Sequence, residues 1–184
     1  MTFARAQPRT ISDVLTFWSR SRNHWFSHDP IFDRRLTRQF GSLHQQAASG
    51  ALGGWEETPN GCLALLILLD QYPRNAFRGK AQMYAHDAEA RRIARRMVDH
   101  EFVEKVPEEL QLFCLLPFAH SENIADQEQS VELHRRFLPG GLDRARRHRK
   151  IIARFGRFPH RNAILGRAAR PTETDFLRNG GFQG

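Results

Sequence analysis

Residues 62–72 read CLALLILLDQY, a run of eight apolar residues followed by Asp70, a glutamine and a tyrosine. The run is apolar on every side of a helix, which is typical of a central helix that its neighbours cover. It is too short to cross a bilayer. Asp70 lies at the helix end where the helix dipole is negative, so a carboxylate there needs a cationic partner if it is even partly buried. The candidates are Arg74, Arg78 and an arginine of the C-terminal segment.

Helical patterns also dominate the sequence on both sides of this run. Ile11 opens a first helix, with Thr10 or Ser12 as its N-cap. Apolar residues at three- and four-residue spacing predict further helices over residues 29–52, 85–100, 107–118, 122–137, 142–155 and 172–179. No stretch of useful length alternates with the period of two that is typical of strands, and the connections are short. The sequence therefore predicts an all-α fold of antiparallel helical hairpins in one compact domain over residues 1–184.

Prolines and capping residues suggest where several of these helices begin and end. Pro73 is expected to stop or kink the central helix, and Pro117 is expected to end the helix that contains it. Ser121 then stands where it can cap the next helix. The pattern Thr172-x-x-Asp175 predicts a capping box at the start of the last helix.

The net charge of +8 is concentrated in one segment. Residues 135–170 hold twelve basic residues against one acid, a local charge of +11, while the remaining chain carries −3. Of the 28 basic residues, 25 are arginine, whose planar guanidinium suits bidentate binding of a carboxylate or phosphate. This charge keeps a nucleic-acid partner among the alternatives.

The N-terminus and the cysteines indicate a protein of the cytoplasm. The first ten residues lack the apolar core of a secretory signal, and no apolar run is long enough for a membrane span. Cys62 and Cys114 sit in apolar runs, where buried, reduced thiols are expected. We therefore expect a cytoplasmic protein that does not bind a membrane.

A second polar cluster, HSENIADQ at residues 120–127, follows directly on an apolar run. Capping accounts for Ser121 and Glu122 at a helix start, where backbone donors favour anions. Capping does not account for His120 or Gln127, which share a face by helical spacing. Two alternatives remain for this pair. Either both side chains are buried and hydrogen-bonded within the protein, or they belong to a ligand site.

A third cluster lies in HRKIIARFGRFPHRNAILGR, residues 148–167. His148 falls on the apolar face of its helix, and the cations opposite are expected to face solvent: Arg144, Arg147, Lys150 and Arg154. After Gly156 the chain leaves the helix, and a Phe-Pro pair forces extended backbone. Three polar residues then stand where a new helix could begin, an arrangement that suits an anion: His160, Arg161 and Asn162.

Together, the three clusters resemble the signature segments of the bacterial domain of unknown function 924 family. The resembling segments are residues 63–79, 116–130 and 148–167, and the resemblance extends over essentially the whole chain. It implies a tetratricopeptide-like, right-handed array of helices, and it brings no activity with it. The chain departs from the family pattern at residues 168–170, where Ala-Ala-Arg stands in place of an acid and a Ser-Thr pair.

The clusters and the resemblance together define a candidate ligand site. Its fourteen residues are Asp70, Gln71, Arg74, Asn75, Arg78, His120, Ser121, Glu122, Gln127, His148, Arg157, His160, Arg161 and Asn162. We expect Arg74, Arg157 and Arg161 to hold a small anionic ligand or a peptide carboxylate. Asp70 and Glu122 would orient the guanidinium groups.

Three other functions remain as alternatives. An enzyme would use His120 or His160 as general acid or base with Asp70 or Glu122 beside it, although no known catalytic motif is present. Nucleic-acid binding would use the basic segment, and an interaction scaffold would recognise a partner peptide. No cofactor or metal is predicted, because the one pair of closely spaced histidines lies in a loop-like stretch, HWFSHDP. The sequence predicts neither the reaction nor the oligomeric state.

Overall fold

The computed structural model describes residues 9–183, and this range contains helices and no β-strand. The all-α prediction is therefore confirmed. The helices are α1 (Ile11–Arg20), α2 (Pro30–Ala48), α3 (Pro59–Leu66), α4 (Tyr72–Ala76), α5 (Asp87–Asp99), α6 (Leu112–Ala119), α7 (Ile124–Phe137), α8 (Leu142–Phe155) and α9 (Pro171–Arg178). Two short 3₁₀ turns contribute to the candidate site, Ala81–Tyr84 and Pro159–Arg161.

Side-chain caps begin the first two helices. Thr10, and not Ser12, caps α1, and it does so reciprocally with Asp13. The Thr10 backbone N–H donates to the Asp13 carboxylate at 2.8 Å, and the Asp13 N–H donates to the Thr10 hydroxyl at 3.3 Å. At α2, Asp29 caps the helix directly before Pro30, whose missing N–H costs nothing at that position.

The central helix does not stop at Pro73. It runs from α3 into α4 through one π-helical turn, Ile67–Gln71. Pro73 has no N–H to donate to the preceding turn, and the carbonyl of Leu68 instead accepts a hydrogen bond from His44 Nδ1 at 2.9 Å. Such wide turns are frequent at functional sites, and this one carries Asp70.

Two predictions at the junction of α6 and α7 were wrong. Pro117 lies inside α6, where its ring costs one backbone hydrogen bond in a helix that continues for only two more residues. Asn123 caps α7, because the chain uses the residues between the helices to turn. Ser121 belongs to that turn, and its hydroxyl donates to the Asp126 carboxylate at 2.6 Å.

The last helix also begins differently from the prediction. Pro171 takes its first position, so Thr172 lies inside the helix and forms no capping box with Asp175. The Arg170 backbone N–H donates to the Glu173 carboxylate at 2.7 Å instead.

The helices pack around two apolar clusters, and only those from α5 to α8 do so in chain order. α3 packs against α1 and α5, α4 packs against α2, and each helix from α5 to α7 packs against the next. The larger apolar cluster surrounds α3 and α6. The smaller one is formed by α8 and the turn after it: Ile151, Ile152, Phe155 and Phe158. The polar residues of the candidate site lie where elements of the two clusters meet.

The two cysteines are buried thiols, as the sequence predicts. Cys62 and Cys114 are free and buried, and burial raises the pKa of Cys62 to about 11. Across residues 9–183, no helix is both long and apolar enough to cross a membrane.

The hydrogen bond that His44 makes to the π turn should contribute to stability. His44→Leu leaves the buried Leu68 carbonyl without its partner, so we expect the free energy of unfolding to fall by about 1–3 kcal/mol. Urea denaturation measures this change. Gln45→Leu, one position along α2 and exposed, is the matched control and should change stability by less than about 0.5 kcal/mol. An equal effect of the two substitutions would show that the carbonyl does not depend on His44.

Candidate functional site

Asp70 lies at the centre of the candidate site. Its side chain is 1% exposed and three side chains surround it. Arg74 Nη1 and His120 Nδ1 lie 3.0 and 2.8 Å from Oδ1, and Gln71 Nε2 donates to Oδ2 at 2.5 Å. Arg74 also donates to the Asp70 backbone carbonyl at 2.7 Å. The prediction that Asp70 has a cationic partner is confirmed, and that partner is Arg74.

These partners set the protonation states of Asp70 and His120. Burial alone would raise the pKa of Asp70, but Arg74 and His120 hold it below its ordinary value. Burial and Arg74 lower the pKa of His120, against the opposite effect of Asp70. We infer that the neutral imidazole keeps its proton on Nδ1, facing the carboxylate. Nε2 then carries the lone pair, and no group in the described part of the chain hydrogen-bonds to it.

Arg161 is a buried cation whose guanidinium makes no hydrogen bond to the described residues. It is 7% exposed, and its Nε is buried without a partner. Its Cζ lies 4.5 Å from the ring centre of Tyr84 and 4.7 Å from that of Phe158. Two aromatic faces thus replace part of the hydration that the guanidinium loses. Asp87 Oδ2 is 3.7 Å from Arg161 Nη1, which is too far for a hydrogen bond.

Asp87 and Tyr84 connect Arg161 to Asp70 and the side chains that bind it. Asp87 is the first residue of α5, where the helix dipole favours a negative charge. Its Oδ1 accepts a hydrogen bond from Arg74 Nη2 at 2.9 Å. Burial raises the pKa of Tyr84, so its phenol is neutral where it stacks on Arg161.

Glu122 fixes the position of the segment that carries Arg161. Its Oε1 accepts the Phe158 backbone N–H at 2.8 Å. Its two oxygens accept hydrogen bonds from the Arg167 guanidinium at 2.6 and 3.0 Å. Burial would raise the pKa of Glu122, but Arg167 and the Phe158 N–H lower it. Glu122 therefore orients Arg167, and the prediction that it orients Arg161 is corrected.

Two further histidines stand beside Arg161. Both ring nitrogens of His148 and Nδ1 of His160 are buried and make no hydrogen bond of ordinary geometry to residues 9–183. The Ala119 carbonyl favours the protonated form of His148 without reaching that geometry. Burial lowers the pKa of each histidine to about 4, and neighbouring cationic groups, including Arg161, add to the effect. All the histidines of the site are therefore neutral at neutral pH.

The structure brings eight of the fourteen predicted residues together and places the other six in structural roles. The eight are Asp70, Gln71, Arg74, His120, Glu122, His148, His160 and Arg161. Arg78 is bound to Asp33 at 2.6 Å and donates to Asn75 at 2.6 Å, which fastens the end of α4 to α2. Gln127 Nε2 donates to three carbonyls at the end of α6, those of Phe118, Ala119 and Ser121. With Ser121 bound to Asp126, these four residues hold the scaffold together.

Arg157 and Asn162 bind the last helix and not the site. Arg157 Nε and Nη2 donate to the two oxygens of Glu173 at 2.7 and 2.8 Å, and Asn162 donates to the same carboxylate at 3.1 Å. Hydrogen bonds from Arg157 lower the pKa of Glu173 to about 2. The prediction that Arg157 holds an anionic ligand is corrected, because α9 supplies a buried carboxylate that the sequence did not identify.

Ion pairs account for much of the basic segment. Arg136 binds Glu104 at 2.7 Å and Arg149 binds Glu128 at 3.1 Å, besides the Arg157 and Arg167 pairs. The predicted solvent face of α8 is confirmed, since four cations are exposed there: Arg144, Arg147, Lys150 and Arg154.

Two surface grooves lie away from this cluster. One of about 710 Å³ lies between α2 and α4, and one of about 340 Å³ runs along α1 and α2. Their lining is made mostly of exposed or half-buried side chains, and one buried polar atom without a partner among the described residues, Gln39 Oε1, lies in the second groove. The cluster holds four such atoms, on His148, His160 and Arg161, so we assign the site to the cluster. Over the described residues, no group of three or more His, Cys, Asp or Glu side chains is placed to hold a metal ion.

Three residues of the cluster were not predicted as site residues. Arg167 lies within the third polar cluster of the sequence, and it could have been predicted from that position. Asp87 begins α5, which the sequence marks only as an amphipathic helix with an acid in its first turn. Tyr84 ends the 3₁₀ turn before α5, which the sequence does not mark.

The geometry defines an all-helical protein with a buried Asp–His–Arg cluster, and comparison with known proteins identifies its family. The family model described as bacterial protein of unknown function (DUF924) matches residues 14–181. The chain therefore belongs to the DUF924 family. It is similar to a solved structure of a protein of unknown function from Agrobacterium tumefaciens, with 42% identity and a TM-score of 0.89. That similarity covers 92% of this chain and 97% of the other. A comparison with curated proteins gives no match.

His148 should make the folded protein less stable in mild acid. An unfolded histidine has a pKa of about 6.5, whereas burial lowers that of His148 to about 4. Between these values the unfolded chain binds a proton that the folded chain does not, so the free energy of unfolding decreases as the pH falls. Between about pH 7 and about pH 4.5, we expect the free energy of unfolding to fall by about 2 kcal/mol less in His148→Leu than in the parent.

Urea denaturation at several pH values measures this difference. The control is His28→Gln, which removes an exposed histidine. Its stability should change with pH as that of the parent does. A parent-like pH dependence in His148→Leu would contradict a neutral, buried His148.

Proposed function

We propose that this protein binds a small carboxylate, free or at the end of a peptide, through the guanidinium of Arg161. The observation that carries the proposal is that the Arg161 guanidinium is buried between two aromatic rings and makes no hydrogen bond to residues 9–183. A guanidinium has five N–H donors, and a buried charge with unused donors is costly unless a partner supplies acceptors. A carboxylate supplies the acceptors and the opposite charge together.

The carboxylates of the site are hydrogen-bonded to arginines other than Arg161. Asp70 and Glu122 already accept hydrogen bonds from other arginines. Asp87 is bound to Arg74 at 2.9 Å and lies 3.7 Å from Arg161. The histidines nearby are neutral and do not compete for an anion as additional cations. Among the described residues of the cluster, Arg161 is thus the cation whose guanidinium makes no hydrogen bond at all.

Burial favours this function over nucleic-acid binding. Phosphate-backbone binding needs exposed cations, and its affinity falls steeply with salt because counterions are released. Arg161 is enclosed, and Arg157 and Arg167 are bound to carboxylates. A desolvated ion pair is screened much less than exposed charges. The affinity for a nucleic acid would therefore depend on the exposed face of α8, and its salt dependence would distinguish the two functions.

The pairing of His120 with Asp70 favours a second candidate function, acid–base catalysis on the bound ligand. Asp70 is buried and ionised, and it lies 2.8 Å from His120 Nδ1. A carboxylate in this position orients an imidazole and stabilises its protonated form, which is how a histidine general base is commonly supported. The role requires an unprotonated Nε2 at neutral pH. Among the sequence alternatives, this geometry supports His120 more than His160, and Asp70 more than Glu122.

A tetratricopeptide-like scaffold remains part of the proposal. Each helix from α5 to α7 packs against the next in the chain, as consecutive hairpins of such an array do. A scaffold of this kind would present the Arg161 site to the end of a peptide. Binding of peptides that differ only in length tests this role, and rejection of every peptide longer than a single residue would argue against it.

Two substitutions to methionine test whether Arg161 is held for a ligand. Arg74→Met leaves the buried Asp70 carboxylate without its cation, so we expect it to lower the free energy of unfolding by about 3–5 kcal/mol. Arg161→Met removes a buried charge without a hydrogen bond and keeps an apolar side chain between the rings. We expect it to change stability by less than about 1 kcal/mol, and to weaken propionate binding at least ~10-fold.

Thermal or urea unfolding gives the stabilities, and calorimetric titration at low salt gives the affinity for propionate. Arg147→Met, on the exposed face of α8, is the control for general loss of charge. If Arg161→Met destabilises the protein as much as Arg74→Met, Arg161 is a structural ion-pair partner. Undiminished propionate binding in Arg161→Met would place the binding site elsewhere.

A further inference from the structure

The chain folds back on its own site after α9. Gly180 has a φ of +77°, and the Gly181 N–H donates to the Phe176 carbonyl at 2.9 Å. A Cβ at Gly181 would lie 2.5 Å from that carbonyl oxygen, so the turn requires glycine there. Gln183 Nε2 also donates to the Leu177 carbonyl at 3.0 Å. This local turn directs Phe182 back across the protein.

Phe182 packs its ring on the two histidines beside Arg161. Its ring centre lies 4.7 Å from that of His148, 5.1 Å from that of His160 and 6.3 Å from that of Phe158. Phe158 is also the ring on which Arg161 stacks. Phe182 and the Arg161 guanidinium are therefore both neighbours of one aromatic side chain.

This aromatic surface has the properties of a ligand subsite. His148 is 8% exposed, and both of its ring nitrogens are buried without hydrogen-bond partners in the described chain. His160 Nδ1 is in the same state. Without hydrogen bonds to hold them, the two imidazoles present themselves to Phe182 as aromatic rings, at 4.7 and 5.1 Å between ring centres. The ring that covers these histidines is itself 38% exposed, so Phe182 only partly shields them.

We propose that the ligand of the Arg161 site is an aromatic carboxylate, whose ring takes the place that Phe182 occupies beside His148 and His160. This inference rests on the proposed function, because Arg161 binds the carboxylate. Phe182 acts as an internal competitor that fills the ring subsite when no ligand is bound. Aromatic pairs prefer edge-to-face or offset contacts, and the rings of His160 and Phe182 meet at 85°. An incoming phenyl ring can make the same contacts.

Removal of the internal competitor should strengthen binding of an aromatic carboxylate and of no other. The probes are 3-phenylpropionate and propionate, titrated calorimetrically into the full chain and into Phe182→Ala. We expect Phe182→Ala to bind 3-phenylpropionate about 10-fold more tightly than the parent, and propionate with unchanged affinity. Phe26→Ala removes another exposed aromatic ring, 62% exposed, and should leave both affinities unchanged. Adding Arg161→Met to Phe182→Ala should abolish the gain.

The other outcomes separate the two proposals. If propionate binds through Arg161 but Phe182→Ala leaves the affinity for 3-phenylpropionate unchanged, the ring subsite is disproved and the proposed function stands. An equal gain for both probes would mean that Phe182 blocks access to Arg161 and that no ring subsite exists. If neither probe binds the parent or Phe182→Ala, the proposed function fails and the ring subsite fails with it. Because Phe182 is partly exposed, its removal should leave the fold intact, which the unfolding temperature verifies.

Discussion

The buried carboxylate of Asp70 is the group on which the rest of the site depends. It lies in the π turn that ends the apolar run of the central helix, where an unpaired charge would cost several kcal/mol, on the order of the total stability of many domains. Arg74, His120 and Gln71 all bind it. Each of them is thereby fixed in one orientation. Arg74 in turn holds Asp87, so the start of α5 is tied to the central helix.

The same constraint explains why the histidines of the site are neutral and why Arg161 stands apart. Arg74 and Arg161 form a positive field in a region of low dielectric, and a protonated imidazole there would be repelled as well as desolvated. The carboxylates of the cluster are already bound to other groups. Arg161 is left with aromatic faces in place of acceptors. A site of this kind is arranged for an incoming anion and contributes little to folding.

Local features of the fold could be predicted from the sequence, and the long-range pairs could not. The apolar run around Leu66, the cap at Thr10 and the solvent face of α8 each follow from residues close together in the chain. The π turn could not be predicted, because it depends on a hydrogen bond from His44, which lies on another helix. The partner of each arginine could not be predicted either, because with 25 arginines the sequence offers many equivalent pairings. The glycine turn that returns Phe182 to the site requires the position of α9 to be known.

The protonation state of His120 tests the central claim most directly. Nitrogen NMR of histidine-labelled protein distinguishes an imidazole with its proton on Nδ1 from one with its proton on Nε2 and from an imidazolium. The account predicts a neutral His120 near pH 7 with the proton on Nδ1, donated to an ionised Asp70, and with a bare Nε2. A proton on Nε2, or a charged imidazolium at that pH, would contradict it. Either result would mean that Asp70 does not hold the ring in the arrangement from which the site is built.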